Sequence, residues 1–171
     1  MEIVVNDTNI LIDLFNAGLL KYCRQLDVDF RTLDLIVAEV TDNEQRNAIE
    51  NIINDGVLSV CSMSGEQMSV VYDKVLQYNG VCNLSLQDIS VMVYAIEHNC
   101  RLLTGDKKLR EKAAMENVKV SGILFLTDMM TQSGIVEPAD MIKALELLIE
   151  SNPRTPKKLI QERIEKLNLM L

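Results

Sequence analysis

The feature that most limits the fold is a short apolar run that stops at a polar cluster near the start of the chain. The run Ile3-Val4-Val5 is followed by Asn6-Asp7-Thr8-Asn9, and apolar residues then recur at helical spacing from Ile10 to Phe15. Unbroken runs of branched apolar residues are typical of a central parallel strand that is covered on both faces. The pattern predicts a buried strand that turns at once into a helix, with Asp7 at the carboxyl end of the strand.

The alternation of strand and helix continues along the chain. Further strands are predicted at residues 28–31, 57–61, 101–104 and 118–120, and stretches with helical periodicity separate them. Strands that alternate with helices favour an α/β fold. We therefore expect a three-layer α/β/α sandwich with a parallel sheet of four to five strands, followed by further helices at the C-terminus.

Composition excludes several classes of protein. The chain has 171 residues, enough for one domain with a sizeable core. No apolar run approaches the ~18 residues that a membrane span needs, and the N-terminus lacks the features of a secretory signal, so we expect a cytoplasmic protein with no membrane partner. The four cysteines lack C-x-x-C spacing and His98 is the single histidine, which argues against zinc sites and Ser-His-Asp chemistry.

The charge of the chain is unevenly distributed. The net charge of −8 argues by itself against a nucleic-acid partner. However, segments 101–112 and 151–171 each carry five basic and two acidic side chains, so positive charge is concentrated in two places on an acidic body. Local basic patches and bound cations decide the field at a site, and a nucleic-acid partner therefore remains compatible with the sequence.

Four carboxylates occupy comparable positions relative to the predicted strands. Asp7 follows the first strand and Asp106 the fourth, Glu39 lies in a predicted helix after the second strand, and Asp88 opens the helix before the fourth. Because ligands bind at the carboxyl ends of parallel strands, we expect the four side chains to converge. Converging carboxylates repel one another unless they are protonated or bind hard cations, and oxygen-only ligands suit Mg²⁺ or Mn²⁺. Two such ions can support phosphodiester cleavage.

Each carboxylate also has an ordinary structural interpretation. Asp88 fits a capping box with Ser85, Asp106 fits a helix N-cap, and Asp7 fits a turn. Glu39 is harder to explain in this way, because its helix face looks buried and Glu is almost never fully buried without a partner. The lesser acids are interpreted as solvated faces or caps: Asp13, Asp34, Asp42 and Asp73.

Four segments together resemble the PIN domain, and more narrowly the VapC-type toxin nucleases and their relatives. The similarity covers roughly residues 1–130, and residues 131–171 resemble a helical extension that we expect to pack on the same domain. The last two of the matching segments are the most specific. The segments are 5–9, 37–40, 84–88 and 102–109.

The resemblance implies a metal-dependent endoribonuclease that hydrolyses phosphodiester bonds of single-stranded RNA with Mg²⁺ or Mn²⁺. For the VapC group it also implies the toxin of a toxin–antitoxin pair, with an antitoxin protein and a second copy of the chain as partners. The catalytic and metal-binding quartet carries over as Asp7, Glu39, Asp88 and Asp106. Asn9 and Thr104 match polar positions that support such a site.

The segment after Asp106 departs from the family pattern. Many PIN proteins carry a further Asp or Asn a few residues beyond this position, where this chain has Lys107-Lys108-Leu109-Arg110. We therefore expect the second metal site to be weak or to fill only with substrate. Lys107, Lys108 and Arg110 are predicted to contact RNA phosphates beside the metals, with a solvated helix face as the alternative.

Two other functions stay open at this point. One is a catalytically weak PIN-fold interaction module held in a complex by the apolar helices from Ile123 onward, which ranks lower because all four acids are present. The other is a phosphotransfer domain, either a response-regulator receiver or a haloacid-dehalogenase-type phosphatase. Both expect a denser acidic motif near the first strand, and the phosphatase needs Asp-x-Asp where this chain has Asn9.

Overall fold

A single parallel sheet forms the middle layer of the protein. The computed structural model describes residues 1–78, 81 and 83–171, so Cys82 lies outside the described residues. In this part of the chain the strands run in the spatial order β3-β2-β1-β4-β5, and every neighbouring pair is parallel. The predicted parallel sheet is confirmed. The strands are β1 (Glu2–Asn6), β2 (Val28–Leu33), β3 (Leu58–Cys61), β4 (Arg101–Leu103) and β5 (Val120–Ser121).

Helices cover both faces of the sheet, as the alternating pattern predicts. Within the described residues no helix is long and apolar enough to cross a bilayer. A short 3-10 helix at Leu20–Gln25 precedes β2. The α-helices are α1 (Thr8–Asn16), α2 (Asp34–Val37), α3 (Asn43–Asn54), α4 (Gly65–Tyr78), α5 (Leu86–Glu97), α6 (Lys107–Met115), α7 (Ile123–Gln132), α8 (Pro138–Ser151) and α9 (Lys157–Asn168).

Two hydrophobic cores lie on opposite faces of the sheet. Successive side chains of a strand point to opposite faces, so Val4 belongs to the core with α1, α3, α7, α8 and α9, and Val5 to the core with α4, α5 and α6. Both valines are fully buried, which explains the unbroken apolar run that begins the chain. Leu145 and Leu148 of α8 are also buried, in the same core as α1. The boundary near residue 130 stays a prediction.

The helix after β2 is shorter than the sequence predicts. It ends at Val37, and Glu39 lies in the following turn with an exposed side chain, so the expected buried helical position of Glu39 is wrong. The N–H groups of Glu39 and Val40 donate to Ile36 and Val37, three residues earlier. Bonds of this kind tighten and end a helical turn. The last strand is also displaced, to Val120–Ser121.

Candidate functional site

Asp7 is fixed at the carboxyl end of the central strand. Its backbone N–H donates to the Leu103 carbonyl of β4 at 3.0 Å, and the residue is 4% exposed. Its Oδ2 accepts hydrogen bonds from Thr104 Oγ1 at 2.8 Å and from Asn9 Nδ2 at 3.3 Å. Burial raises the pKa of Asp7 from 3.8 to about 6; the Thr104 hydrogen bond opposes this rise and the charge of Asp88 adds to it. Both predicted supporting residues therefore contact Asp7.

Thr104 connects two of the predicted acids. It is fully buried just after β4, and its hydroxyl donates to Asp7 Oδ2 while accepting from the Asp106 N–H at 3.1 Å. A hydroxyl offers one donor and two acceptor lone pairs, so it can make both bonds at once. Thr104 thus fixes the start of α6 relative to the end of β1.

Asp106 and Asp88 both cap helices. Asp106 is the N-cap of α6, and its Oδ1 accepts from the Leu109 N–H at 2.8 Å. Asp88 forms the predicted capping box of α5: its Oδ2 accepts from the Ser85 N–H at 2.8 Å, and Ser85 Oγ accepts from the Asp88 N–H at 3.0 Å. Both contacts satisfy backbone N–H groups that have no partner within their helix. Each carboxylate keeps one oxygen with no hydrogen-bond partner in the part of the chain that the structure describes.

Glu39 is linked to the site through Thr8. The hydroxyl of Thr8, the first residue of α1, donates to Glu39 Oε2 at 2.7 Å and lies 3.4 Å from the Ile36 carbonyl oxygen. Because Thr8 follows Asp7 directly, this contact places Glu39 at the same end of β1. Thr8 was not among the predicted site residues. Its position in the polar stretch that closes a buried strand is the signal that could have identified it.

The four carboxylates are linked to the carboxyl ends of β1 and β4, but within the described residues they do not converge into one metal-binding cluster as the sequence predicts. Among the described residues, no three acidic, histidine or cysteine side chains are grouped closely enough to hold an ion. Oxygens of Asp88 and Asp106 face helix N-termini, and one oxygen of Glu39 faces Thr8. The donor set itself, carboxylate oxygens beside hydroxyl and amide groups, suits Mg²⁺ or Mn²⁺. A cation would also relieve the repulsion that helps to raise the pKa of Asp7.

The three predicted RNA-binding residues have different surroundings. Lys107 is exposed, and its Nζ lies 3.7 Å from Glu111 Oε1. Lys108 is also exposed. Arg110 is partly buried, and its Nη1 donates to the Thr104 carbonyl oxygen at 3.1 Å. Arg110 is therefore held beside the acids, whereas the two lysines face solvent.

A cleft of about 600 Å³ opens next to the acids, and we call it the C-terminal cleft. Its walls are one face of α1, the first turn of α6, the start of α7, the connector 151–156 and two residues of α9. Asn9 and Asp106 belong both to this cleft and to the acidic site. The cleft thus links the carboxyl edge of the sheet to the last two helices.

Asp13 lines the C-terminal cleft, and its surroundings contradict the prediction that it lies on a solvated face. It is 4% exposed, and both of its carboxylate oxygens accept from Asn152 Nδ2, at 3.0 and 3.3 Å. Burial raises the pKa of Asp13 above its ordinary value, and the hydrogen bond from Asn152 opposes that rise. The interpretation of Asp13 as a solvated face is therefore wrong, because the connector after α8 covers that face of α1.

Comparison with known proteins agrees with this architecture. The family model of the PIN domain matches residues 3–169. Endoribonuclease Nob1 of Pyrococcus abyssi (strain GE5 / Orsay) is 26% identical over 98 residues, which are 57% of this chain and 61% of Nob1. This chain therefore spans less than two thirds of the length of that relative.

Solved structures share the fold at lower sequence identity. The structure of VapBC-1 from nontypeable Haemophilus influenzae matches with a TM-score of 0.51 and 19% identity, over 71% of this chain and 98% of that chain. VapBC2 from Rickettsia felis, bound to a DNA fragment from its promoter, matches with a TM-score of 0.50 and 17% identity, over 70% and 98% of the two chains. Because the family model covers nearly the whole sequence, the chain belongs to the PIN domain family.

Proposed function

We propose that the protein is a metal-dependent endoribonuclease that hydrolyses phosphodiester bonds of single-stranded RNA. The observation that carries this proposal is the buried carboxylate of Asp7 at the end of the central strand. This carboxylate interacts electrostatically with Asp88 and is linked to Asp106 through the Thr104 hydroxyl. Membership of the PIN domain family and the similarity to an endoribonuclease support it.

Asp7, Glu39, Asp88 and Asp106 are the residues that would hold Mg²⁺ or Mn²⁺. The chemistry that a bound ion would supply here is activation of a water molecule and stabilisation of charge on the leaving oxygen. Thr104 and Asn9 orient Asp7 by donating to its Oδ2. Thr8 similarly orients Glu39 through Oε2.

A ribonuclease assay with Mn²⁺ or Mg²⁺ tests this proposal. We expect cleavage of single-stranded RNA that stops when EDTA is added. Asp7→Asn and Asp88→Asn should each lower the rate by at least about tenfold, which corresponds to about 1.4 kcal/mol of transition-state stabilisation. Asp73→Asn changes an exposed acid of α4 and serves as the matched control. Activity that survives in both site variants would refute the metal site.

A more specific form of the nuclease proposal is that the enzyme is the cytoplasmic toxin of a toxin–antitoxin pair. Its partners would be an antitoxin protein and a second copy of the chain, and the resemblance to VapC-type toxins supports this. Induced expression of the chain should arrest bacterial growth, and Asp7→Asn should restore growth. Normal growth with active protein present would remove the toxin assignment and leave the nuclease proposal intact.

A catalytically weak interaction module is the second candidate. The observation that favours it is the engagement of Asp88 and Asp106 as helix caps, without a preformed metal cluster among the described residues. The assay above separates the two candidates, since a module of this kind would show no cleavage that depends on Asp7.

A further inference from the structure

The C-terminal cleft continues from the acidic site towards the last two helices. Asn9 and Asp106 lie on its wall close to Asp7, and the connector 151–156 forms its far side. Its volume of about 600 Å³ falls in the range of pockets that hold a ligand. An RNA strand bound at the acids would therefore continue into this cleft.

Cationic side chains line the cleft in a chain whose net charge is −8. Arg163 is paired with Asp128 through two contacts, at 2.6 and 2.7 Å, and Arg110 donates to the Thr104 carbonyl. Arg154 is exposed, and its guanidinium has no ion pair or hydrogen bond within residues 1–78, 81 and 83–171. Among the arginines that line this cleft, Arg154 is therefore the one most available to a ligand.

The backbone that carries Arg154 is fixed by its neighbours. Asn152 donates to both oxygens of the buried Asp13, and its own Oδ1 accepts from the Arg154 N–H at 3.0 Å. Thr155 is 8% exposed, and its hydroxyl donates to the Asn152 carbonyl at 2.8 Å. A segment that is already ordered loses less conformational entropy on binding. Arg154 is thus presented on a rigid support.

We propose that Arg154 binds a backbone phosphate of the RNA strand as it leaves the acidic site, so that the C-terminal helices complete the substrate groove. This inference rests on the proposed nuclease function. A guanidinium matches phosphate geometry through two parallel hydrogen bonds. The apolar side chains of Ile12 and Leu159, which is 46% exposed, line the same cleft and offer a surface for sugar and base.

Binding of a fluorescent, mixed-sequence single-stranded RNA tests this proposal. The measurement is fluorescence anisotropy over a series of salt concentrations, with Asp7→Asn present in every protein so that the RNA is not cut. Arg154→Glu should weaken binding by at least about tenfold and lower the slope of log K against log salt by about one. Arg154→Lys keeps the charge but loses the paired guanidinium donors, so it should leave the salt slope unchanged and weaken binding less than Arg154→Glu does.

Lys157→Glu is the matched control for the reversal of charge. Lys157 is the exposed first residue of α9 and does not line the cleft. Its variant should bind within about threefold of the parent protein. Equal weakening by Arg154→Glu and Lys157→Glu, or no weakening by Arg154→Glu, would overturn the proposal. Tighter binding of poly-glutamate than of RNA at equal salt would assign the cleft to an acidic peptide and overturn it as well.

The nuclease proposal and the Arg154 proposal can fail separately. Cleavage by the native chain with Mn²⁺, combined with RNA binding that is independent of Arg154, would refute the phosphate contact alone. Binding that requires Arg154, without any cleavage, would refute the nuclease function alone. If thermal unfolding shows that Arg154→Glu is unfolded, Arg154→Gln is measured in its place. It should likewise weaken RNA binding more than Lys157→Glu does.

Discussion

Replacing Asp7 by Asn should stabilise the folded protein at neutral pH, although it removes the centre of the proposed site. Burial raises the pKa of Asp7 from 3.8 to about 6. The folded protein therefore holds the proton of this carboxyl more tightly than the unfolded chain does. Above pH 6 the fold has to accommodate an ionised carboxylate where burial and the charge of Asp88 oppose it.

The size of the effect follows from the difference between the two pKa values. A shift of about two units corresponds to about 3 kcal/mol, at 1.36 kcal/mol per unit. Between pH 4 and pH 6 the folded state binds more protons than the unfolded state, so stability falls as pH rises and the loss is complete above about pH 6. Asn carries no charge, and its side-chain oxygen can still accept the Thr104 hydrogen bond. The expected gain is at most about 3 kcal/mol, or about 6–12 °C in Tm for a chain of this size.

Urea unfolding at pH 4 to 8 in EDTA measures this difference. The free energies of unfolding of the native protein and Asp7→Asn should agree near pH 4 and diverge as pH rises, with the variant more stable. Asp73→Asn, on the exposed face of α4, should differ from the native protein by less than about 0.5 kcal/mol throughout. A constant difference between native protein and Asp7→Asn from pH 4 to 8 would refute the reasoning that ionisation of Asp7 destabilises the fold.

Three further predictions follow from the same contacts. Thr104→Val removes the hydroxyl shared by Asp7 and Asp106 and should lower stability by about 1–3 kcal/mol in urea unfolding, whereas Thr104→Ser should recover most of it. Asn152→Ala leaves the buried carboxylate of Asp13 without its donor; the expected loss at pH 7 is about 1–3 kcal/mol and should shrink in acid, where Asp13 is protonated. Mn²⁺ at about one hundred times its Kd should add about 2.7 kcal/mol to the native protein in thermal unfolding at pH 7.5. An equal Mn²⁺ shift in Asp7→Asn would contradict the assignment of Asp7 as a ligand.

The sheet could be predicted from the sequence because each strand carries a local signal. The valines of β1 alternate between two cores, and a strand buried on both faces has to be apolar at every position. The capping box at Ser85 was predictable for the same reason, since its partners are three residues apart. The position of β5 was less well determined. Its register is set by pairing with Leu102 and Leu103, which the sequence of the strand itself does not encode.

The parts of the site that sequence reasoning missed depend on contacts between distant residues. Periodicity shows that Asp13 lies on α1, but its partner Asn152 is 139 residues away, and only the folded chain shows that the connector covers it. The same holds for the hydrogen bond from Thr8 to Glu39. The prediction for Glu39 failed because the helical sequence pattern continues past Val37, whereas the N–H groups of Glu39 and Val40 donate to carbonyls only three residues earlier and end the helix.

Asp7 differs from Asp88 and Asp106, the other two aspartates of the proposed site, in the contacts that its carboxylate makes at a helix N-terminus. Asp106 and Asp88 satisfy backbone N–H groups of α6 and α5, a role that contributes about 1 kcal/mol at an N-cap. Asp7 is the N-cap residue of α1, yet its side chain makes no capping hydrogen bond and is held by Thr104 and Asn9 instead. Replacing Asp106 therefore removes a structural contact together with a proposed ligand. Replacing Asp7 changes the charge of the site without loss of a cap, so gain of stability with loss of activity in Asp7→Asn would mark this carboxylate as maintained for function rather than for folding.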